Sequence, residues 1–405
     1  MLNTEKIRKD FPILEGKNPP VYFDSACMAL KPRQVVQALE RYYYEFPSCH
    51  GRSSHRLGRK LNDEIEASRK VIQRFFGSKG EVVFTRNTTE AINLVASSFP
   101  FKKGDTVITT DKEHNSNLVP WIRLAQEKGI VHKIAASDER GLFSLDSFES
   151  LLKKAGKEGA SHKSILVSMV HTSNLDGTTL PAKEICKISH EYGAVVLLDG
   201  AQSAPHKEIN LKKIDADFFA LSGHKMMGPT GIGCLIGKPE ALEKLSQFIV
   251  GGETVTNSTY EGYTPERIPN RFEAGLQHYA GIIGMAEACR YIEAIGRSDI
   301  EKHDLELNGI ITHGLRDSVD ILGPEDPAKR GSIFSFWIRG MESHAAGLML
   351  DARNIMVRSG MHCCHSWFNA RKKEGSVRAS LYIHNTAEEC HRFINEIKRI
   401  KRIAG

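Results

Sequence analysis

The sequence lacks the features of an exported or membrane-spanning protein. Residues 1–10 are polar and charged, unlike the apolar segment of a secretory signal peptide. No hydrophobic run approaches the length of about 20 residues that a membrane-spanning helix needs. The chain also has no low-complexity linker and no internal repeat. We therefore expect a cytoplasmic protein that does not bind membranes directly.

A strong excess of charge of one sign is also missing. The net charge of +6 is the small difference between 55 basic and 49 acidic residues, so it gives no reason to expect nucleic-acid binding. The basic segment 398–402 fits the last turn of a helix, where cations oppose the helix dipole. A docking patch for a partner is the alternative for this segment.

The eight cysteines include no C-x-x-C pair of the kind that often binds a metal. In a chain of 405 residues without a secretory segment, we expect them to be reduced thiols. Cys186, Cys289 and Cys390 lie within helical patterns and are expected in the core. With 40% hydrophobic residues the chain can bury a large core and form two domains.

Strand and helix patterns alternate along most of the chain, which predicts an α/β fold. Apolar strands are predicted at 106–110, 164–170, 194–198, 217–221 and 233–236. A helix is predicted over 181–192, because Pro181 opens it and Gly193 follows it. From about residue 285 longer helices follow, with a strand at 333–338. Thr386 and Glu389 predict a capping box at the start of a last helix.

Lys225 stands between the apolar strand 217–221 and a glycine-rich turn. A lysine at the end of a buried strand can be desolvated enough to lose its proton and attack an aldehyde, so we interpret it as a Schiff-base nucleophile. A solvated loop lysine is the alternative, and three further features argue against it.

The first feature is Asp199, which ends the apolar run 193–198, at the edge where open α/β sheets bind ligands. Its carboxylate could keep a pyridine nitrogen protonated, which makes pyridoxal phosphate an electron sink. The second is the strand 82–85, which leads through small polar residues into a helix whose start could hold a phosphate. The third is His114, which could stack on a flat ring.

Together these residues resemble the class V aminotransferase family, and within it the cysteine desulfurases of the short-loop type, close to selenocysteine lyase. The matching segments are 21–26, 170–174, 199–202, 222–225, 271–275, 358–363 and 377–381. The resemblance implies the pyridoxal-phosphate transferase fold of type I, like that of aspartate aminotransferase. It implies a large domain with a mostly parallel seven-stranded sheet over 21–284, and a small α+β domain over 1–20 and 285–405. It also implies a homodimer.

The resemblance further implies the roles of the site residues. Pyridoxal 5'-phosphate would be bound by Lys225, paired at its ring nitrogen with Asp199, and stacked by His114, which would also act as acid and base. Gln202 would bind the ring hydroxyl, and Asn174 would be a further cofactor-binding residue. The phosphate would be bound by Thr88, Thr89, Ser222 and His224.

The substrate and the reaction follow from the same resemblance. Arg378, assisted by Asn174, matches the arginine that binds the substrate carboxylate, and a guanidinium gives the two-pronged contact that this requires. Arg358 matches a second arginine near the substrate side chain. Cys363 would take sulfur from L-cysteine as a persulfide, leaving alanine, because a thiolate is the nucleophile that sulfur transfer needs. We expect His362 and the two arginines to favour that thiolate.

Several positions depart from the family pattern. Leu276 and Gln277 replace the residues that usually contact a phosphate across the dimer, which puts that contact in doubt. Cys27, Cys49 and Cys364 are additional thiols. These three and Cys363 could relay a persulfide or bind zinc or an iron–sulfur cluster, or they could be coincidental apolar residues.

The sulfur would supply iron–sulfur cluster or other thio-cofactor synthesis through a protein acceptor that the sequence does not name. Two other functions remain open. One is a different reaction of the same family, namely a selenocysteine or cystine lyase or an aminotransferase. The other is a non-catalytic sulfur-carrier scaffold, against which the joint presence of Lys225, Asp199, His114 and Cys363 argues.

Overall fold

A computed structural model of the protein describes residues 2–138, 141–157 and 164–404. The α-helices are α1 (Thr4–Arg8), α2 (Arg33–Glu45), α3 (Arg56–Phe75), α4 (Thr88–Ser98), α5 (Asn115–Lys128), α6 (Leu145–Lys157), α7 (Ala182–Glu191), α8 (Ser203–His206), α9 (Leu211–Ile214), α10 (Pro239–Leu242), α11 (Tyr279–Ile295), α12 (Arg297–Leu315), α13 (Ser343–Asp351), α14 (His365–Ala370) and α15 (Ala387–Ala404). The β-strands are β1 (Val21–Tyr22), β2 (Glu81–Thr85), β3 (Thr106–Thr110), β4 (Val131–Ala135), β5 (Ile165–Val170), β6 (Val195–Asp199), β7 (Phe218–Ser222), β8 (Gly233–Gly237), β9 (Val255–Ser258), β10 (Tyr263–Pro265), β11 (Asp320–Leu322), β12 (Ile333–Trp337), β13 (Ile355–Met356), β14 (Arg358–Gly360) and β15 (Ser376–Ser380).

A seven-stranded sheet forms the centre of the molecule, with the strand order β2-β8-β7-β6-β5-β3-β4. The strands from β7 to β4 run parallel, and β8 is antiparallel to both of its neighbours. Because β5, β6 and β7 are parallel neighbours, their carboxyl ends meet at one edge. The functional site lies at this edge.

Both faces of this sheet are covered, which explains why its strands are continuous apolar runs. In β6, Val196 and Leu198 contribute to one core cluster, while Leu197 points into the other. In β7, Phe219 packs in the first of these clusters and Phe218 in the second. A one-residue change of register would therefore move each side chain from one core cluster to the other. Both faces of the strand would still be apolar.

A second sheet, β11-β12-β15-β14, is antiparallel and packs with α12, α13 and α15 around a separate cluster. The last helix starts with the predicted capping box. The backbone N–H of Glu389 donates to Thr386 Oγ1 at 3.2 Å, and the N–H of Thr386 donates to Glu389 Oε2 at 3.2 Å. The small sheet brings β14 and β15, with Arg358 and Arg378, to the edge of the large one.

The predicted fold class is confirmed: the central sheet is seven-stranded and mostly parallel, with helices around it. The predicted strands occur within a residue or two of their expected ends. The division at residues 20 and 285 stays a prediction, since residue 285 lies within α11, which packs against α2 and α3. In the part of the chain that is described, no helix is long and apolar enough to cross a membrane.

Candidate functional site

A cavity of about 670 Å³ opens where β5, β6 and β7 end. Residues far apart in sequence line it, from the loop after β1 to β15. Its lining includes Ala26, Cys27, Asn87, Thr88, Thr89, His114, Ser116, Val170, Thr172, Asn174, Asp199, Ala201, Gln202, Ser222, His224, Lys225, His344, Arg358, Ser359, Gly360, Met361, His362, Cys363, His365, Glu374 and Arg378. The sequence-predicted catalytic, cofactor and substrate residues are therefore brought together in one place.

Lys225 and Asp199 lie at the floor of this cavity. Lys225 ends the short 3₁₀ turn after β7, and Asp199 ends β6 with only 3% of its surface exposed. Burial lowers the pKa of Lys225, and this outweighs the opposite effect of the Asp199 charge. Burial also raises the pKa of Asp199, although the N–H of Ala201 donates to its Oδ1 at 2.9 Å. Burial thus favours the uncharged form of both groups, and a cation bound beside Asp199 would favour its carboxylate form.

The amino end of α4 forms one wall of the cavity. The Thr88 N–H donates to Ser222 Oγ at 2.9 Å, and the two hydroxyls are 2.7 Å apart. The Thr89 hydroxyl lies 2.7 Å from Ser116 Oγ. Asn87 caps the helix by accepting from the N–H of Glu90. Hydroxyls and a helix amino terminus at one point of a cavity suit a phosphate group.

His114 caps α5, and its Nδ1 accepts a hydrogen bond from the Ser116 N–H at 3.0 Å. This bond assigns the ring proton to Nε2. Burial lowers the pKa of His114 to about 3, and the Lys225 and Arg378 charges add to the effect. At neutral pH the imidazole is therefore uncharged and can donate a proton or a hydrogen bond only through Nε2.

Gln202 has an unused acceptor. Its Nε2 donates to the Ala26 carbonyl at 2.8 Å, while its Oε1 is buried and has no hydrogen-bond partner. A buried polar atom without a partner costs free energy, of order 1–3 kcal/mol. A ligand hydroxyl at this point would remove that cost. His224, with a pKa that burial lowers to about 4, is likewise uncharged at neutral pH.

Arg378 is the most enclosed cation of the cavity, at 3% exposed. Its Nη1 donates to the Asn174 carbonyl at 2.9 Å, its Nη2 lies 3.5 Å from Asp24 Oδ1, and its Nε is buried without a partner. Burial lowers its pKa despite the Asp24 charge. Arg358 is more exposed and lies 3.7 Å from Asp24 Oδ2. Arg378 therefore retains hydrogen-bonding capacity for an incoming carboxylate.

Cys363 is exposed and lies on a loop held in an unusual conformation. His362 and Cys363 have φ angles of 49° and 58°, in the left-handed region that non-glycine residues rarely adopt. The Cys363 carbonyl accepts from the Asn115 N–H at 2.7 Å, and the His362 carbonyl accepts from Asn174 Nδ2 at 2.7 Å. These contacts fix the loop so that the thiol stands at the wall of the cavity.

The structure gives no support to the expectation that a positive charge on His362 favours the thiolate. His362 is buried, its Nε2 lies 2.8 Å from Ser376 Oγ, and burial, together with Arg378 and Arg358, keeps its pKa well below the usual range. It is uncharged at neutral pH and cannot supply a positive charge. Arg358 and Arg378 are the remaining groups that were expected to favour the Cys363 thiolate.

The additional thiols are dispersed. Cys364 is 1% exposed in a small apolar cluster with Leu175 and Phe368, and burial raises its pKa to about 12. Cys49 is half-buried and does not line the cavity of Cys363, whereas Cys27 does. Among the described residues no group of three or more His, Cys, Asp or Glu side chains could hold a metal ion. The structure therefore gives the four-cysteine metal hypothesis no support.

The core prediction for three other cysteines is confirmed. Cys186, Cys289 and Cys390 are each 0% exposed, in α7, α11 and α15. Burial raises the pKa of Cys186 and of Cys289 to about 12. These thiols are packing residues.

Residues in and beside the site that received no role from the sequence include Asp24, His365 and Glu113. Asp24 faces both arginines, and burial raises its pKa. His365 lines the cavity with its Nδ1 2.7 Å from Asn115 Nδ2. Glu113 lies beneath the site, and burial raises its pKa to about 7. Asp24 could have been found, since it lies inside one of the matching segments.

The cavity as a whole suits a flat pyridine ring that carries an aldehyde and a phosphate. It offers an amine at Lys225, an anion at Asp199, an acceptor at Gln202 and hydroxyls at Thr88 and Ser222. Each of these groups matches one substituent of such a ring.

Comparison with known proteins gives a consistent family. The family model for aminotransferase class-V matches residues 21–393. A probable cysteine desulfurase of Synechocystis sp. is 38% identical, over 97% of this chain and 94% of its own length. A probable cysteine desulfurase of Pyrococcus abyssi is 37% identical, over 98% of this chain and 97% of its own length.

Solved structures agree with these relatives. The apo structure of a cysteine desulfurase from Thermococcus onnurineus NA1 superposes with a TM-score of 0.93 at 37% identity, covering 99% of this chain and 98% of that one. The cysteine desulfurase CsdA of Escherichia coli, solved as an S-sulfonic acid, has a TM-score of 0.88 at 29% identity. The match covers 100% of this chain and 99% of that one.

Proposed function

This chain belongs to the class-V aminotransferase family, and on that basis we propose that it is a pyridoxal-phosphate-dependent cysteine desulfurase that converts L-cysteine to L-alanine and leaves a persulfide on Cys363. One observation supports this above the others. The Cys363 thiol shares a cavity with Lys225 and Arg378, so a nucleophilic sulfur, a buried amine and a carboxylate-binding cation face the same space. An aminotransferase has no need of a thiol there.

The cofactor would be held by groups that are already in position. When bound, pyridoxal phosphate withdraws electrons from the substrate and so weakens the bonds next to its α-carbon. Lys225 would attach it, Asp199 would pair with its ring nitrogen, and Gln202 would bind its hydroxyl. Thr88, Thr89, Ser222 and His224 would hold the phosphate, and His114 would lie over the ring.

The substrate would be oriented by its carboxylate. Arg378 has a free Nε and an Nη2 shared only loosely with Asp24, and Asn174 supports it through its carbonyl. Arg358 would attract the substrate from the mouth of the cavity. Lys225, whose pKa burial lowers, would take the α-proton as a neutral amine, and His114 would donate a proton through Nε2.

Sulfur transfer would follow as a nucleophilic displacement. The Cys363 thiolate attacks the sulfur of the bound cysteine, a sulfur–sulfur bond forms, and the carbon–sulfur bond breaks. The bonding electrons stay on the substrate carbon, which is protonated and leaves as alanine. Cys363 keeps the sulfur as a persulfide, for a protein acceptor to remove. We further propose that the enzyme works in the cytoplasm as a homodimer.

The test is an anaerobic incubation of the holoenzyme with L-cysteine and a reductant, with alanine and sulfide measured together. We expect equal amounts of both. A Cys363→Ala variant should lose both products but keep the yellow colour of the bound cofactor, and a Cys49→Ser variant should behave like the unmodified enzyme. Colour without alanine would overturn the desulfurase assignment and redirect it to another amino acid, such as selenocysteine. An unchanged rate in Cys363→Ala would remove that residue as the sulfur acceptor.

A further inference from the structure

A second thiol faces the same cavity as Cys363. Cys27 lies in the loop after β1, is half-buried, and lines the cavity together with Lys225 and Arg378. Since Cys364 is enclosed in its apolar cluster, Cys27 and Cys363 are the two cysteines in the lining of this cavity. A pair of thiols that line one cavity can exchange sulfur with each other.

Hydrogen bonds from distant parts of the chain hold the loop of Cys27. The Cys27 N–H donates to the Asp24 carbonyl at 3.0 Å. Its neighbour Ala26 donates to Ser380 Oγ at 3.0 Å and accepts from Gln202 Nε2 at 2.8 Å. The position of the Cys27 thiol is therefore determined by β15 and by the chain after β6, the same elements that present Arg378 and Asp199.

Two basic side chains, Lys225 and Arg378, interact electrostatically with Cys27. A negative charge on Cys27 acts to raise the pKa of Lys225 and that of Arg378, and a charge on Cys363 acts in the same direction on Lys225. Cys27, Cys363 and Lys225 all line the same cavity. The Arg378 guanidinium is thus a partner for the anion that a thiol must become before it can attack.

The two thiols differ in exposure. Cys363 is exposed, on a loop with two residues in the left-handed region, whereas Cys27 is deeper and half-buried. The outer sulfur of a Cys363 persulfide has come from a substrate that was bound inside the cavity. It is therefore formed in the cavity that Cys27 also lines.

We propose that Cys27 is a second sulfur acceptor, which takes the outer sulfur from the Cys363 persulfide inside the cavity. The Cys27 thiolate attacks that outer sulfur, the sulfur–sulfur bond of the Cys363 persulfide breaks, and Cys363 leaves as a thiolate. The transferred sulfur remains as a persulfide on Cys27. No oxidant or reductant is consumed, because a thiol and a persulfide only exchange places.

This inference rests on the proposed desulfurase function and has a consequence of its own. Once Cys363 is a thiolate again, it can attack a second L-cysteine while the first sulfur is held on Cys27. One chain can therefore store two sulfur atoms. The deeper one is sheltered from small reductants in solution.

The experiment counts sulfur and locates it. The holoenzyme is incubated anaerobically with L-cysteine and no reductant, the alanine burst is measured, and the thiols are then alkylated and mapped by mass spectrometry. We expect about two alanines per chain, and one added sulfur on each of the Cys27 and Cys363 peptides. In Cys27→Ser and Cys27→Ala the burst should fall by about half, to one alanine, with sulfur on Cys363 alone. Loss of the cofactor colour would show that a variant has misfolded. Two variants are used so that the result can still be read if one of them misfolds.

The controls separate the relay from the function. Cys49→Ser should match the unmodified enzyme, because that thiol is outside the cavity. Cys363→Ala should carry no sulfur on Cys27, and sulfur found there would overturn the proposed order of transfer. The relay would be overturned if the unmodified enzyme released alanine but its Cys27 peptide carried no added sulfur. It would also be overturned if Cys27 and Cys363 formed a disulfide. Either result would leave the desulfurase function intact. No alanine from the unmodified enzyme would overturn both.

Discussion

At the scale of single residues, the cavity is a set of charged and polar groups whose ordinary states have been changed by burial. Lys225 and Arg378 have lowered pKa values, and the pKa of Asp199 is raised. Burial penalises the charged form of each group, and a bound ligand of opposite charge would relieve that penalty. Such perturbed groups in one cavity are typical of a functional site.

Arg378 provides a test at this scale. Arg378→Lys should lower kcat/KM for L-cysteine by roughly 10- to 100-fold, because a lysine keeps the charge but loses the two-pronged contact. The affinity ratio for L-cysteine over cysteamine, which has no carboxylate, should fall with it, measured from the change that each ligand causes in the cofactor spectrum. An unchanged ratio would mean that Arg378 supports the loop through Asn174 and does not bind the substrate.

At the scale of elements, the phosphate end of the site depends on how closely β8 approaches its neighbours. Gly233 pairs with both Thr85 of β2 and Ser222 of β7. A Cβ atom there would lie 2.4 Å from the Leu221 carbonyl oxygen and 2.8 Å from Asn87 Cα. Only glycine lets the start of α4 pack this closely against the sheet.

Gly233→Ala should therefore destabilise the protein by about 1–3 kcal/mol and weaken cofactor binding. Gly309→Ala is the matched control: it lies inside α12, its added Cβ would meet no atom within 4 Å, and it should stabilise by about 0.5–1 kcal/mol. Denaturant unfolding and cofactor titration measure both effects. Equal stabilities for the two variants would show that the close approach is not needed.

At the scale of the whole molecule, exposed apolar side chains recur around the β9–β10 hairpin. They include Ile249, Val250, Tyr260, Tyr263 and Leu276, which is 70% exposed. Leu276 offers no polar side chain for a phosphate, and the Gln277 amide donates to the Ala274 carbonyl at 2.9 Å. We propose that the segment from Ile249 to Leu276 forms part of the interface of the proposed homodimer, since apolar surface of this kind marks association sites.

Leu276→Lys should weaken the dimer by at least about tenfold, because a charged side chain would be placed in an apolar contact. Leu348→Lys is a suitable control, since Leu348 is 72% exposed but belongs to α13. Light scattering across a dilution series measures the monomer fraction of each variant. If the unmodified protein is already a monomer, or if both variants dissociate alike, the interface is placed wrongly.

The sequence by itself determined the α/β fold, the order of the strands along the chain and the capping box of α15. These follow from short-range patterns, in which apolar periodicity and neighbouring residues act directly on the backbone. It also predicted site roles for Lys225 and Asp199, which stand at the ends of apolar strands, and, through the family resemblance, for Cys363.

The tertiary structure alone decided which of these groups share a space and which are charged. Cys27 and Cys363 line one cavity because β15 and the chain after β6 hold the loop that follows β1. His362 is uncharged because it is buried beside Ser376, which its position next to Cys363 does not reveal. Burial and electrostatic coupling depend on residues that are distant in sequence, so no local pattern encodes them.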